Sequence, residues 1–231
     1  MEQSDEFKRK LHYTMAFIGG FMGAYALIIR CDVFGNAQTS NMIHLAMSIL
    51  GRDFVDIAIR VGGIIIYMAG VAFVVFWKKK FDVNVHFVAV MADIMALVIL
   101  GFLPEHMNNV FALYPVFFAA AVQWTSFPGV FGYNCSTIFS TNNLKQFTMA
   151  STEYIMEHDS KQAHKAKFYA GTLICYHIGV AVAYMACRLL DVRAAWIGII
   201  PAAVAMAMVV YENVDLSGLV LFAKFGNEKD M

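Results

Sequence analysis

The chain has 231 residues, of which 60 % are hydrophobic and 15 % charged, and its formal net charge is zero. A soluble domain of this size carries about 25 % charged residues, so this balance and a strongly positive mean hydropathy indicate a membrane protein and argue against a soluble globular domain. The basic residues are dispersed and matched in number by acids, which leaves no basic patch for nucleic acid.

Taken in order, the apolar segments are about the length that a bilayer core requires of a helix, roughly 20 residues. The charged start MEQSDEFKRK precedes an apolar run without an A-x-A cleavage site, which reads as a retained signal-anchor helix. The first span is Met15–Ile29, extended by Tyr13, Thr14 and a snorkelling Arg30. Ile57–Trp77 follows, stopped by Lys78-Lys79-Lys80, then Phe87–Leu103, ended by Pro104-Glu105, and Val110–Phe127, ended by Pro128-Gly129. The fifth and sixth are Phe168–Cys187 and Ala194–Val210. Ser151 to Lys167 is a charged, solvated insertion, and Leu216–Phe225 is too short to span and is expected at the interface.

Lys and Arg placement sets the orientation. With the N-terminus inside, every lysine falls on the cytoplasmic side with Arg9, whereas Arg30, Arg52, Arg60, Arg188 and Arg193 fall outside. The expectation is six spans with both termini cytoplasmic.

Two stretches break the pattern of apolar spans and polar loops. FGNAQTSNMIHLAM (Phe34 to Met47) follows the first span and FSTNNLKQFTM (Phe139 to Met149) follows the fourth. Each contains Thr-x-Asn and a large apolar residue, Thr39-Ser40-Asn41-Met42 and Thr141-Asn142-Asn143-Leu144, 102 positions apart. The next spans also repeat: Gly62-x4-Tyr67-x2-Gly70-Val71-Ala72 and Gly171-x4-Tyr176-x2-Gly179-Val180-Ala181 are 109 apart, so seven residues are inserted in the second copy. Small residues at such spacings let helices approach closely, and their order implies a duplication of three spans plus three. An odd number of spans inverts the second unit, as in many secondary transporters. The fold expected is an all-α integral membrane protein of six transmembrane helices in two inverted three-helix repeats, about 13–103 and 108–212, with an interfacial tail over 213–231.

From Thr39 to Leu50 is about 18 Å as a helix, too short to cross. Thr39 or Ser40 is a candidate N-cap after a polar, non-helical approach through Gly35 and Asn36. One reading is a half-helix whose N-terminus points into the protein and favours anions or carbonyl-bearing solutes. The other is an amphipathic surface helix in which asparagine merely forms turns. His44 and Gln146, 102 apart, are polar in both copies and suit either reading.

These residues resemble the YoaK-type bacterial integral membrane proteins, a domain of unknown function. The matching positions are Gly19-Gly20-Phe21, Phe34, Thr39-Ser40-Asn41, Gln123 and Thr141-Asn142-Asn143-Leu144. The resemblance implies about six spans, a Gly-rich first helix, and a Thr-Gly motif after the first and fourth helices. The motif glycine is replaced by Ser40 and Asn142 here, and the acid often found in the first helix by Gly23. It implies no established activity.

Among single residues, Asp93 sits mid-span, where an acid costs about 2.5–3.5 kcal/mol to insert. It is either a proton or cation site or a neutral acid that hydrogen-bonds neighbouring helices. His177 would share a proton with Asp93 if their helices meet, or else bond helix to helix. Tyr67 and Tyr176 are repeated mid-span hydroxyls that either pack or line a site. Trp124 and Trp196 lie near span ends, where indoles anchor at the interface. Cys31, Cys135, Cys175 and Cys187 show neither CxxC nor Cys/His ligand spacing, and His158 and His164 are not four apart, so no metal, cofactor or disulfide framework is expected.

The leading expectation is a transporter or channel for a small polar or anionic solute. Its binding residues would be Thr39, Ser40, Asn41, Thr141, Asn142, Asn143, Tyr67, Tyr176 and Gln123, with Asp93 and His177 as coupling groups. Partners would be the lipid bilayer and the solute, with no nucleic acid; a homo-oligomer fits the same composition. The rivals are an intramembrane enzyme or ligand sensor, and a structural assembly partner. An enzyme is disfavoured because no HExxH, paired mid-span carboxylates, Ser/His/Asp set or phosphate loop is present.

Overall fold

The computed structural model describes residues 2–212 except 31, 32, 34, 37, 82 and 83. The tail helix expected at Leu216–Phe225 lies outside the described residues. Most of those described are helical, and there is no strand among them.

Helix α1 (Glu2–Ile29) has no proline or capping break over 28 residues. Its exposed first turns carry the Glu6–Arg9 and Glu6–Lys10 ion pairs at 3.6 and 3.2 Å; beyond Leu11 it is buried on most sides. Arg30, expected to snorkel, is instead fully buried and donates to the Pro104 and Glu105 carbonyls at 3.0 and 3.1 Å. Helix α2 (Gln38–Gly51) turns Gln38 and Asn41 inward and leaves Met42, Ile43, Met47 and Leu50 exposed.

Helix α3 (Phe54–Lys80) is capped by Asp53, whose carboxylate accepts from the Asp56 N–H at 3.0 Å. It ends on three lysines, which suit the negative end of the helix dipole. Its buried residues, Gly63, Gly70 and Val74, form one narrow stripe, so most of its surface faces outward. Helix α4 (Val85–Leu100) buries Ala89, Val90, Asp93, Ala96, Leu97 and Leu100, a helical stripe with the acid at its centre.

The fourth apolar segment is two helices, α5 (Asn109–Ala112) and α6 (Tyr114–Ser126). Pro115 explains the break, because it has no N–H to continue the preceding helix and its ring crowds the turn before it, whereas proline is tolerated in the first turn of a new helix. Residues 127–140 are non-helical yet reach the interior at Cys135–Ile138, helped by left-handed backbone at Gly132 and Phe131. Helix α7 (Thr141–Glu157) stops at His158, whose φ of 54° is left-handed, and α8 (Ser160–Leu190) is capped by Asp159. Asp191, with φ 46°, leaves the helix for a 3-10 segment (Asp191–Gly198), and α9 follows over 199–212.

Three helical stretches are long and apolar enough to cross a membrane, Asp5–Ile29, Phe54–Lys80 and Ser160–Glu212, and Val85–Leu100 is a shorter apolar helix. The architecture is that of an all-α membrane protein.

Helix α1 packs along α8 and α6 along α3 and α4, while α2 lies on α3 and α7 on α8. The two main seams match in detail. A Cβ on Gly179 would strike the α1 backbone at Phe17, and one on Gly70 would strike the α6 backbone at Phe118. Tyr13 of α1 donates to the Phe168 carbonyl at 3.4 Å, and Tyr114 of α6 donates to the Ile59 carbonyl at 2.6 Å. The donors are 101 residues apart and the acceptors 109, the same second offset as the Gly/Tyr repeat.

Candidate functional site

The polar interior is built where two non-helical approaches reach the middle of α1. Asn36 is fully buried beside it and donates to the Gly19 carbonyl at 2.8 Å and the Ile138 carbonyl at 3.1 Å. Residue 19 must be glycine for this meeting, because a Cβ there would collide with the Thr137 carbonyl. From Gly23 to the end of α1 is about 9 Å of helix, so the chain turns back into the protein after α1. Residues 36 and 138 are themselves 102 apart, so equivalent points of the two approaches touch.

Gln123, fully buried on α6, joins the same seam by donating to the Met15 carbonyl and to the Thr137 hydroxyl, each at 2.9 Å. The Tyr176 hydroxyl of α8 faces the Asn36 amide and Ser140. Several polar atoms here have no hydrogen-bond partner among the described residues: Asn36 Oδ1, Gln38 Nε2, Gln123 Oε1 and Ser140 Oγ. Each such atom costs about 1–3 kcal/mol when buried dry and is a place for water or a ligand.

The two Thr-x-Asn motifs each turn only the asparagine inward. Asn41 donates to Gln38 at 2.8 Å and to the Arg60 carbonyl at 3.1 Å, and accepts from the Arg60 guanidinium at 3.4 Å. Arg60 in turn pairs with Asp56, which also accepts from Ser48. Asn143 instead folds the approach onto itself, accepting from the Ser136 N–H at 3.0 Å and donating to the Ser136 and Phe139 carbonyls at 2.6 and 3.0 Å. Thr39, Thr141 and Asn142 are exposed and Ser40 half-buried. Helix α2 begins at Gln38, so Thr39 and Ser40 lie inside its first turn and neither is the cap that their spacing suggested. His44 is exposed and Gln146 half-buried.

Of the repeated tyrosines, Tyr176 is buried in the seam and Tyr67 half-buried on α3. Asp93 is completely buried with both carboxylate oxygens unpartnered among the described residues. His177 is on the outer side of α8, where its Nδ1 lies 2.7 Å from the Leu173 carbonyl of its own helix. It lines an apolar outward groove with Ile174 and Ile178, and no hydrogen bond joins it to Asp93. The relay between the two is not formed.

Reading the sequence missed Asn36, Ser136, Thr137 and Ser140. The signal was the 102-residue offset itself, which pairs Asn36 with Ile138 as it pairs Asn41 with Asn143. Also missed were His12 and His86, buried ring nitrogens near the start of α1 and of α4.

No curated protein and no solved structure matches the chain. One family does match, over residues 11–210, from the first buried turn of α1 into α9. By that match, which covers all of the seam just described, the chain belongs to DUF1275, a family described as protein of unknown function.

Proposed function

We propose that this protein is a small-solute transporter or channel of the bacterial inner membrane, with both termini cytoplasmic. In this reading it has six spans in two inverted units: α1, α3 and α4, then α5–α6, α8 and α9. Helices α2 and α7 are half-helices that return from opposite surfaces after an irregular approach. Irregular backbone at membrane depth is tolerated where it is buried in protein or lines a cavity, and broken segments at a repeat interface are where transporters of this build hold their solute.

The observation that carries the proposal is the Asn36–Ile138 contact on the backbone of Gly19, with the unpartnered atoms Asn36 Oδ1, Gln123 Oε1 and Ser140 Oγ around it. Asn36 Oδ1 and Gln123 Oε1 are acceptors and the Ser140 hydroxyl can donate or accept, so beside the Tyr176 hydroxyl they leave hydrogen-bonding capacity where the two approaches meet. They suit a solute, or its hydration water, that offers N–H or O–H groups. The matched α1–α8 and α6–α3 seams support the inverted pairing. Asp93, unpartnered at the centre of α4, is the candidate coupling acid.

The experiment is uptake of a panel of small polar and anionic solutes into proteoliposomes, with a proton-sensitive dye inside. Wild-type protein is expected to carry at least one solute above empty liposomes. Gln123→Leu should lower that flux at least about tenfold, the effect of roughly 1.4 kcal/mol on a barrier. Asp93→Asn should abolish proton movement while the protein stays folded. Wild-type flux equal to that of empty liposomes across the panel would sink the proposal.

A further inference from the structure

A second polar feature lies one helical turn from the seam, nearer the start of α1. Asp5, Lys8, Leu11 and His12 of α1, His86 at the start of α4, and Phe127 with residues 129–132 surround a cleft of about 370 Å³. Its walls are half apolar: His86 stacks on Phe127 with ring centroids 4.4 Å apart, and Leu11 and Val130 are the aliphatic surfaces. Two ring nitrogens at this cleft, His12 Nε2 and His86 Nδ1, are buried without a hydrogen-bond partner among the described residues. His12 is only 1 % exposed. One His86 ring nitrogen is used at the Ser126 backbone, whereas His12 Nε2 and His86 Nδ1 have no such use among the described residues.

The charges decide the kind of ligand. Lys8 stands in the cleft, and burial together with Lys78 and Lys8 opposes protonation of the His86 ring in the free protein. Asp5 is the single acid in the lining and balances Lys8, which leaves one cation to meet a single carboxylate and no excess positive charge for a dianion. His86 also meets the Ser126 backbone. Donating from both ring nitrogens would make it an imidazolium, a state that a bound carboxylate stabilises. We propose that this cleft binds a small monocarboxylate with an aromatic or aliphatic body, its carboxylate held by Lys8, His12 Nε2 and His86 Nδ1 and its body against Phe127 and Leu11. The cleft also gives the seam its approach, since His12 is one turn from Met15, whose carbonyl Gln123 holds. That last role alone rests on the transport reading.

Binding of radiolabelled benzoate to the full chain in detergent, by equilibrium dialysis, tests the site. Benzamide and benzylamine compete as the neutral and cationic isosteres. Benzoate is expected to bind saturably, with the two isosteres weaker by about tenfold or more, as loss of a charge-assisted contact implies. Lys8→Gln, on an exposed turn where folding is not at stake, and His86→Phe, which keeps the ring stack, should each weaken benzoate by a similar factor. Absence of saturable binding, equal competition by benzamide, or full affinity in both variants would overturn the proposal. Benzoate that binds while no solute of the panel, benzoate included, is carried leaves this site standing and removes the transport reading. Flux that falls with Gln123→Leu but is untouched by Lys8→Gln and His86→Phe leaves the transport reading standing and removes the role of the cleft as an approach to the seam.

Discussion

Asn41 and Asn143 hold the same place in the two Thr-x-Asn motifs and use their amides differently. Asn41 ties α2 to Arg60 of α3, whereas Asn143 braces the approach that leads into its own helix. Replacing Asn143 with leucine strands the Ser136 N–H and two carbonyls, in a place without bulk water. At about 1–3 kcal/mol for a buried group left unsatisfied, the expected loss is about 3 kcal/mol, read as a lower thermal midpoint in detergent. Thr141→Val, two residues earlier and exposed, should stay within about 0.5 kcal/mol of wild type. If the two variants melt alike, the inward turn of the asparagine alone has been misjudged. At this scale a motif in the sequence marks a place, and helix phase decides which of its residues faces in. Thr39 and Thr141 repeat as faithfully as the asparagines, but three residues span about 200° of a helix, so the side chains of one motif cannot all point the same way.

Between elements, close packing of α3 and α8 was legible in the Gly62/Gly70 and Gly171/Gly179 repeat, because close backbone approach leaves a small-residue signature, whereas their partners α6 and α1 were not. The tyrosine clamps that accompany it were not, since each joins residues far apart in sequence, 13 with 168 and 114 with 59. Tyr114→Phe should cost about 1 kcal/mol and Tyr13→Phe somewhat less, given the 2.6 and 3.4 Å donor distances. The double variant should be additive within about 0.5 kcal/mol, because the bonds cross different helix pairs; strong coupling in thermal melts would argue against two separate seams. The break in the fourth apolar segment had a visible cause in Pro115, which hydropathy alone smooths over. The burial of residues 135–138 left no mark in the sequence, since it comes from Gly19 and Gln123 on other helices.

For the whole molecule, the proposed topology fixes which ends share a side. The end of α3 at Lys80 and the α7–α8 turn at His158 should face the cytoplasm, with Arg52 and His106 opposite. Single cysteines at these places, Lys79→Cys, His158→Cys, Arg52→Cys and His106→Cys in a background without native cysteines, would be exposed to a membrane-impermeant thiol reagent on intact cells. Labelling at 52 and 106 with protection at 79 and 158 is the expected pattern, and a split between 79 and 158 would rule out the inverted layout. The expectation comes from lysine placement, a property of the chain's charge pattern alone. The His12–His86 cleft has no such signature, because its rings stand 74 positions apart and meet only when α1 and α4 share an end. Asn36 makes one further consequence measurable. Its amide holds the Gly19 and Ile138 carbonyls, which in the proposed layout belong to different units, so rocking one unit against the other would open the second bond while the first persists. A net amide bond is worth about 0.5–1.5 kcal/mol, roughly a twofold to tenfold shift between two conformers. A barrier to exchange assembled from contacts this small can be crossed by thermal motion, and Asn36→Asp or Asn36→Ser becomes a dial on how often the two halves part.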